Sequence, residues 1–196
     1  MLKLRTPIFR VSFPQVFEAR SMQPGQPAKY SLTMLFDLAE MKKDAAQWKK
    51  WQDMLAAVKL SAQEKWPKGV PANFKNPFRD GVEKEQYEGY GKGIIFVVAS
   101  TKTRPGVVDQ SVKRIIDPEQ FYAGCYAHAD INPFAWEKLG KHGVSFGLQN
   151  VQLVKAGEPL GGRSRAEDDF CALDSDLDPE KPEAATTEDD PTNMFA

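Results

Sequence analysis

The residues from Phe121 to Val154, FYAGCYAHADINPFAWEKLGKHGVSFGLQNVQLV, constrain the fold more than any other stretch. They read as two long strands joined by a loop, with small residues where a sheet has to curve. In the first strand, period-two alternation puts Phe121, Ala123, Cys125, Ala127, Ala129 and Ile131 on one face and Tyr122, Gly124, Tyr126, His128 and Asp130 on the other. Small inward residues suit the tight interior of a small barrel, and Gly124 marks a bend, a bulge or the close approach of another backbone. In the second strand Val144, Phe146 and Leu148 share a parity that Val151 and Leu153 reverse. A one-residue slip near Gln149 or Asn150, a β-bulge, accounts for the reversal.

The remaining elements can be arranged around that hairpin. Ile8 to Phe13 reads as a half-buried strand with Phe9, Val11 and Phe13 inward, Arg10 and Ser12 outward, and Pro7 and Pro14 as its brackets. After the turn cluster MQPGQP, Tyr30, Leu32, Met34 and Phe36 alternate with polar residues as a second strand. Asp37 then caps a predicted helix to about Lys65, whose apolar positions Met41, Ala45, Trp48, Trp51, Leu55, Val58 and Ala62 fall at helical spacing. Trp48 and Trp51 are read as core, because aromatics in that spacing pack against a sheet. Val70 to Lys92 is a long loop rich in Pro, Gly and Asn, and long loops in compact domains are often functional. Ile94 to Ala99, apolar on both faces, predicts a strand covered on both sides, by the helix. Lys113 and Arg114 are placed on a short strand before the hairpin.

Charge divides the chain. Residues 1–166 carry 25 Lys/Arg against 16 Asp/Glu, a net of +9, whereas residues 167–196 carry 1 against 11, a net of −10. A basic body with an acidic tail points to a polyanion partner for the body, and to a tail that competes for the same surface or recruits basic partners. The tail, rich in Asp, Glu, Pro, Ala and Thr, cannot bury enough apolar surface to fold alone and is expected to be disordered. The domain expectation is therefore one folded domain over 1–166 and a disordered acidic tail over 167–196. Two cysteines, no long apolar run and no signal-peptide pattern lead to the expectation of a soluble, intracellular protein without disulfides.

Catalysis finds little support. His128 and His142 lack partners at any recognised metal-ligand spacing, with no CxxC, HxxxH or HExxH, and no phosphate-binding P-loop order is present. His128 and Asp130 share a strand face, but with no nucleophile nearby they read as two exposed polar residues. No metal or other cofactor is expected, and binding is favoured over enzymatic activity. The fold class is mainly β with one long helix (α+β), an elaborated five-stranded OB-type barrel. Aromatics interleaved with cations on such a barrel suit single-stranded nucleic acid. The candidates for base stacking are Tyr87, Tyr90, Tyr122 and Tyr126. Those for phosphate contact are Lys92, Lys102, Arg104, Lys113, Arg114, Arg163 and Arg165.

The segments Phe121-Tyr122-Ala123-Gly124-Cys125-Tyr126, Gly143-Val144-Ser145-Phe146-Gly147-Leu148-Gln149-Asn150-Val151-Gln152 and Gly157-Glu158-Pro159-Leu160-Gly161-Gly162-Arg163 together resemble the single-stranded-DNA-binding proteins of a family of tailed bacteriophages. The likeness spans most of residues 1–165, and its glycine-rich hairpin block is the specific part. It implies an OB fold without enzymatic activity that coats single-stranded DNA during phage replication or recombination, in the cytoplasm of the infected host. The tail is similar to the acidic tips of bacterial and phage single-strand binders. By that likeness Asp189, Asp190 and Phe195 are candidates for docking phage or host replication proteins. A replication or recombination nuclease and a virion structural protein are the alternatives.

Overall fold

A computed structural model describes residues 3–21 and 24–161. Its elements in chain order are β1 (Leu4–Arg5), β2 (Phe9–Arg20), β3 (Lys29–Asp37), α1 (Leu38–Met41), α2 (Ala45–Lys65), β4 (Phe74–Lys75), β5 (Arg79–Asp80), β6 (Ile94–Thr101), β7 (Gly106–Val108), β8 (Tyr126–Lys138) and β9 (Lys141–Lys155), with short 3₁₀ turns at Gly81–Lys84 and Pro118–Gln120. Five of the strands close on themselves: β2 pairs β3, β3 pairs β6, β6 pairs β9 in parallel, β9 pairs β8 and β8 returns to β2. This is the five-stranded OB-type ring expected, with β3 and β6 as its second and third strands. The short strands extend its edges.

The hairpin is β8–β9, and its inward parity holds: Cys125, Ala127, Ala129 and Ile131 are buried, as are Val144, Phe146, Leu148 and Val151. Asp130 pairs Asn150 and Ile131 pairs Leu148, which leaves Gln149 as the extra residue of a bulge where the apolar parity reverses. The strand starts later than expected, at Tyr126, because residues 157–161 fold back over the chain before it. A Cβ on Gly124 (φ +114°) would lie 2.1 Å from the Glu158 carbonyl oxygen, and Leu160 N–H donates to the Ala123 carbonyl at 2.9 Å. Gly124 is thus a site of close backbone approach that only a residue without Cβ allows.

Five further expectations change. Pro14 lies within β2 rather than beyond it, at a bulge where Ser12 pairs Thr33 but Gln15 pairs Ser31. Phe13, at φ +44°, is turned outward there and is 42% exposed, not inward. The single helix is two, because the Asp37 carboxylate caps α1 and the Asp44 carboxylate, accepting from the Ala46 and Gln47 amides, recaps the chain for α2. Trp51 is buried against Phe36 and Phe78, each 5.1 Å between ring centroids, and Trp48 packs at the core margin, as read. The outer face of β6 is covered by Tyr90 and Leu160, not by the helix. Lys113 closes a tight turn after β7, in which the Asp109 carboxylate accepts from the Ser111 and Lys113 amides, and the expected short strand shrinks to a single antiparallel bridge of Arg114 to Val108.

Asp130 also departs from its reading as an exposed residue. β1 pairs alongside it, and its carboxylate is buried while accepting from Arg5 Nε at 2.5 Å and pairing Lys3 Nζ at 2.9 Å. Burial pushes its pKa up, but the two cations outweigh burial and hold it below the ordinary carboxylate range. A carboxylate depressed on folding stabilises the fold fully above its unfolded pKa of about 4 and loses that contribution as pH falls below it. Asp130→Asn is therefore expected to cost about 1 kcal/mol at pH 7 and progressively less below about pH 4, measured as urea midpoints of both proteins across that range.

Candidate nucleic-acid interface

OB barrels bind oligonucleotides on the outer face of their second and third strands, here β3 and β6. The register defines that face. Ser31, Thr33 and Leu35 of β3 oppose Ser100, Val98 and Phe96 of β6, and Ser100 leads on to Gly147 of β9. The floor is small and polar toward one end and apolar toward the other.

Aromatic rings rise at the apolar end. Phe13, turned out by the β2 bulge, meets Tyr87 edge-on at 5.4 Å between centroids. Tyr90 lies 6.1 Å from Tyr87 and 5.5 Å from Phe96. Tyr90 is the anchored member, half-buried, with its hydroxyl 3.0 Å from Ser12 Oγ, and burial raises its phenol pKa. Phe13 and Tyr87 are the open members, 42% and 45% exposed. The Lys84 ammonium lies within 5.2–5.9 Å of all four ring centroids. Burial, then the nearby Arg79 charge, lowers its pKa. Arg79 stands 4.7 Å over the Phe96 ring and pairs Glu83.

From Arg79 the surface continues into a trough of about 560 Å³ lined by Val98 and Ser145 on its floor and by Lys75, Phe78 and Trp136. Trp136 Nε1 donates to Ser145 Oγ at 2.8 Å, which fixes the indole. Open aromatic rings and cations thus line one groove, Phe13, Tyr87 and Trp136 with Lys84, Arg79 and Lys75, while the buried Phe96 belongs to its floor. Such a row can stack bases of any identity while the cations meet phosphates.

Of the residues singled out in the sequence, Tyr87 and Tyr90 lie in this groove, and exposed Lys92 is in their loop. Lys102 and Arg104 are exposed in the turn directly after β6. Lys113 and Arg114 are exposed on the β7 turn; β7 pairs β9 at Asn150–Gln152, away from the groove's β9 residues. Tyr122 is a brace, its hydroxyl donating to the Gly157 carbonyl at 2.8 Å. Tyr126 lies under Lys155 Nζ at 4.6 Å and lines a separate groove of about 420 Å³ with Arg10 and the carboxylates of Asp37, Glu40 and Asp44, which disfavour phosphate. Arg163, Arg165, Asp189, Asp190 and Phe195, like the tail as a whole, lie outside the described residues.

Phe13, Lys84, Arg79, Lys75 and Trp136 escaped the sequence reading. The signal for Phe13 is Pro14 behind it, since proline inside a sheet implies a bulge. Trp136 continues the outward parity of Tyr126 and His128, and shows itself once the strand is carried past Ile131. His128 and Asp130 form no pair: His128 Nε2 meets Gln152 Oε1 at 2.8 Å, and Asp130 is held by Arg5 and Lys3. The Cys125 thiol is buried and pushed up to about 11 by burial, far from a nucleophile's range. Among the described residues no group of three or more His, Cys, Asp or Glu is placed to hold a metal, and no helix is long and apolar enough to cross a membrane.

Comparison with known proteins agrees with this fold. The fold is similar to the single-stranded-DNA-binding protein of bacteriophage Enc34 in complex with single-stranded DNA, with a TM-score of 0.67 at 20% identity over 81% of this chain and 89% of that one. It is also similar to a further structure of the single-stranded-DNA-binding protein from bacteriophage Enc34, with a TM-score of 0.60 at 22% identity over 85% and 89%. The bacteriophage T7 single-stranded-DNA-binding protein gp2.5 gives a TM-score of 0.57 at 16% identity over 94% and 99%. No curated protein matches the sequence. The model of the Enterobacter phage Enc34 ssDNA-binding protein family matches residues 2–180, and the chain belongs to that family.

Proposed function

We infer that this protein binds single-stranded DNA without regard to sequence and protects it during phage DNA replication or recombination. The observation that carries the reading is the groove outside β3 and β6, where the open rings of Phe13 and Tyr87 stand beside Lys84 and Arg79. Stacking accepts every base because every base has a π-face, and point charges meet the backbone without reading sequence. Phe13, Tyr87 and Trp136 take bases in this reading, with Tyr90 supporting them, while Lys75, Arg79, Lys84, Lys92, Lys102 and Arg104 take phosphates.

The protein acts by binding alone, in the cytoplasm of the infected cell. Labelled single strands incubated with it and magnesium stay intact; cleavage would identify a nuclease instead. The folded domain of residues 1–166 carries the DNA site. The acidic residues 167–196 compete with DNA for the basic body and offer Asp189, Asp190 and Phe195 to replication proteins once DNA is bound, a role supported by the opposed charges of +9 and −10.

One salt titration tests both parts. Affinity for single strands falls steeply with salt, and neutralising Lys102 and Arg104 to Gln lowers it for all sequences alike, reducing the log–log slope by about 1.4. Truncation after Arg165 tightens binding at low salt. A slope near zero overturns the binding mode, and equal low-salt affinities of full-length and truncated protein overturn the competition by the tail.

A further inference from the structure

The tip of the β8–β9 hairpin is built from residues that a hairpin on its own does not favour. Leu139 and Gly140 form a two-residue turn, with φ of +49° and +71°. Positive φ at both central positions belongs to a type I′ turn, which prefers Asn-Gly, Asp-Gly or Gly-Gly. Leucine in that conformation is strained. Its side chain is also 91% exposed, the highest value among the exposed large hydrophobics of the described residues, so it gains nothing from the core. Directly beneath it Lys138 and Lys141 pair across the strands, two like charges in opposition. Glu137, one residue further down, faces His142, with its Oε2 3.7 Å from the ring Nδ1, and leaves the two lysines uncompensated by any ion pair among the described residues.

Each of these three choices costs the free protein stability, and each gains from one kind of partner. An apolar side chain between two cations matches the end of a stacked duplex, where it covers or enters a base step while the lysines meet the two flanking phosphates. The loop between the fourth and fifth strands of an OB barrel is a nucleic-acid-binding loop. Here it lies at the end of the hairpin that carries Trp136 on the groove wall, so a strand leaving the groove along β8 and β9 arrives at the tip. We propose that Leu139 is a wedge that meets the first base pair at a single-strand–duplex junction, with Lys138 and Lys141 straddling it, so that the protein binds and opens duplex ends as well as coating free strands. The proposal rests on the single-strand-binding reading.

The test uses the full-length chain and Leu139→Asn, which creates the favoured Asn-Gly turn. The variant is expected to melt at the same temperature as the parent or higher, so no loss of function can come from misfolding. Its affinity for oligo-dT stays within about twofold of the parent, whereas its affinity for the same oligo-dT joined to a short hairpin duplex falls about tenfold, and it lowers the melting temperature of that duplex less. Equal affinities of variant and parent for both substrates overturn the wedge and leave the tip as a contact for some other macromolecule. A parallel loss on both substrates also overturns it, making Leu139 an ordinary part of the single-strand groove. A parent protein that binds neither substrate removes the single-strand reading itself, a result distinct from normal oligo-dT binding without a junction effect.

Discussion

Changing Phe13 and Tyr87 together to alanine lowers the affinity for single-stranded DNA by about thirtyfold or more, while the protein melts within a few degrees of the parent. A base stacked on an aromatic ring is worth about 1–3 kcal/mol by alanine substitution, and two rings at the low end of that range give the stated loss. The fold survives because both side chains are exposed, at 42% and 45%, and what they give the free protein is the edge-on contact between them and their shared contact with Tyr90. Contacts of that kind are worth about 0.5–1.5 kcal/mol, well below the stability of a typical domain. Tyr90 serves as the contrast: half-buried against Phe96 and bonded to Ser12, its removal to alanine costs stability as well as binding. The measurements are binding isotherms on oligo-dT and thermal melts for each variant. Unchanged affinity in the Phe13/Tyr87 double variant would place the DNA elsewhere on the barrel.

The ring of strands was legible because its parity is regular. Ala127, Ala129 and Ile131 alternate without interruption on the hairpin, and the reversed phase of Val151 and Leu153 marks a slip at Gln149 or Asn150, of which Gln149 is the bulged residue. The misread places are those where a local side chain overrides the pattern. Asp44 offers its carboxylate to the Ala46 and Gln47 amides and so ends one helix and starts another inside a continuous apolar spacing. Phe13 is turned outward by a bulge that alternation alone cannot express, although Pro14 announces it. Tyr122 has the outward parity, and parity does not express that residues 157–161 return over that face, where the Gly157 carbonyl accepts from its hydroxyl.

The candidate site was legible in its residue types rather than in its members. Tyr87 and Tyr90 stood out as aromatics among glycines, and the structure sets both on the outer face of β3 and β6. Their companions come from four separate parts of the chain: Phe13 from β2, Lys75 and Arg79 from β4 and β5, Lys84 from the turn before Tyr87, and Trp136 from the hairpin. No spacing rule links such positions, because it is the closure of the ring that gathers them. Lys113 and Arg114, which match the charge criterion equally well, end at β7, whose partners on β9 are Asn150 to Gln152.

Ala127→Asp is expected to abolish cooperative folding at pH 7. Ala127 is fully buried and pairs Phe9 of β2 on one side and Leu153 of β9 on the other, so it sits at the seam where the ring closes. An aspartate there brings two penalties. Its extra atoms overfill a packed site, at about 1–3 kcal/mol, and its carboxylate enters a region of apolar side chains, at several kcal/mol for an ionised group after relaxation. Together these approach the 5–15 kcal/mol that holds a typical domain together. The charge penalty can be separated from the steric one, since Ala127→Asn has nearly the same volume without the charge and is expected to cost only the overpacking and polar-burial share. It can also be read from pH. Burial raises the folded-state pKa of such a carboxyl, so the folded state binds its proton more tightly than the unfolded state, and the variant regains stability as pH falls from 7 toward 5. That dependence is opposite in sign to the one set by Asp130, whose carboxyl is depressed by Arg5 and Lys3. Urea midpoints of the parent, Ala127→Asp and Ala127→Asn at pH 5 and pH 7 decide the matter: an aspartate variant as stable as the asparagine one at pH 7 would mean that water or a cation reaches the seam, and that the ring is not closed at Ala127.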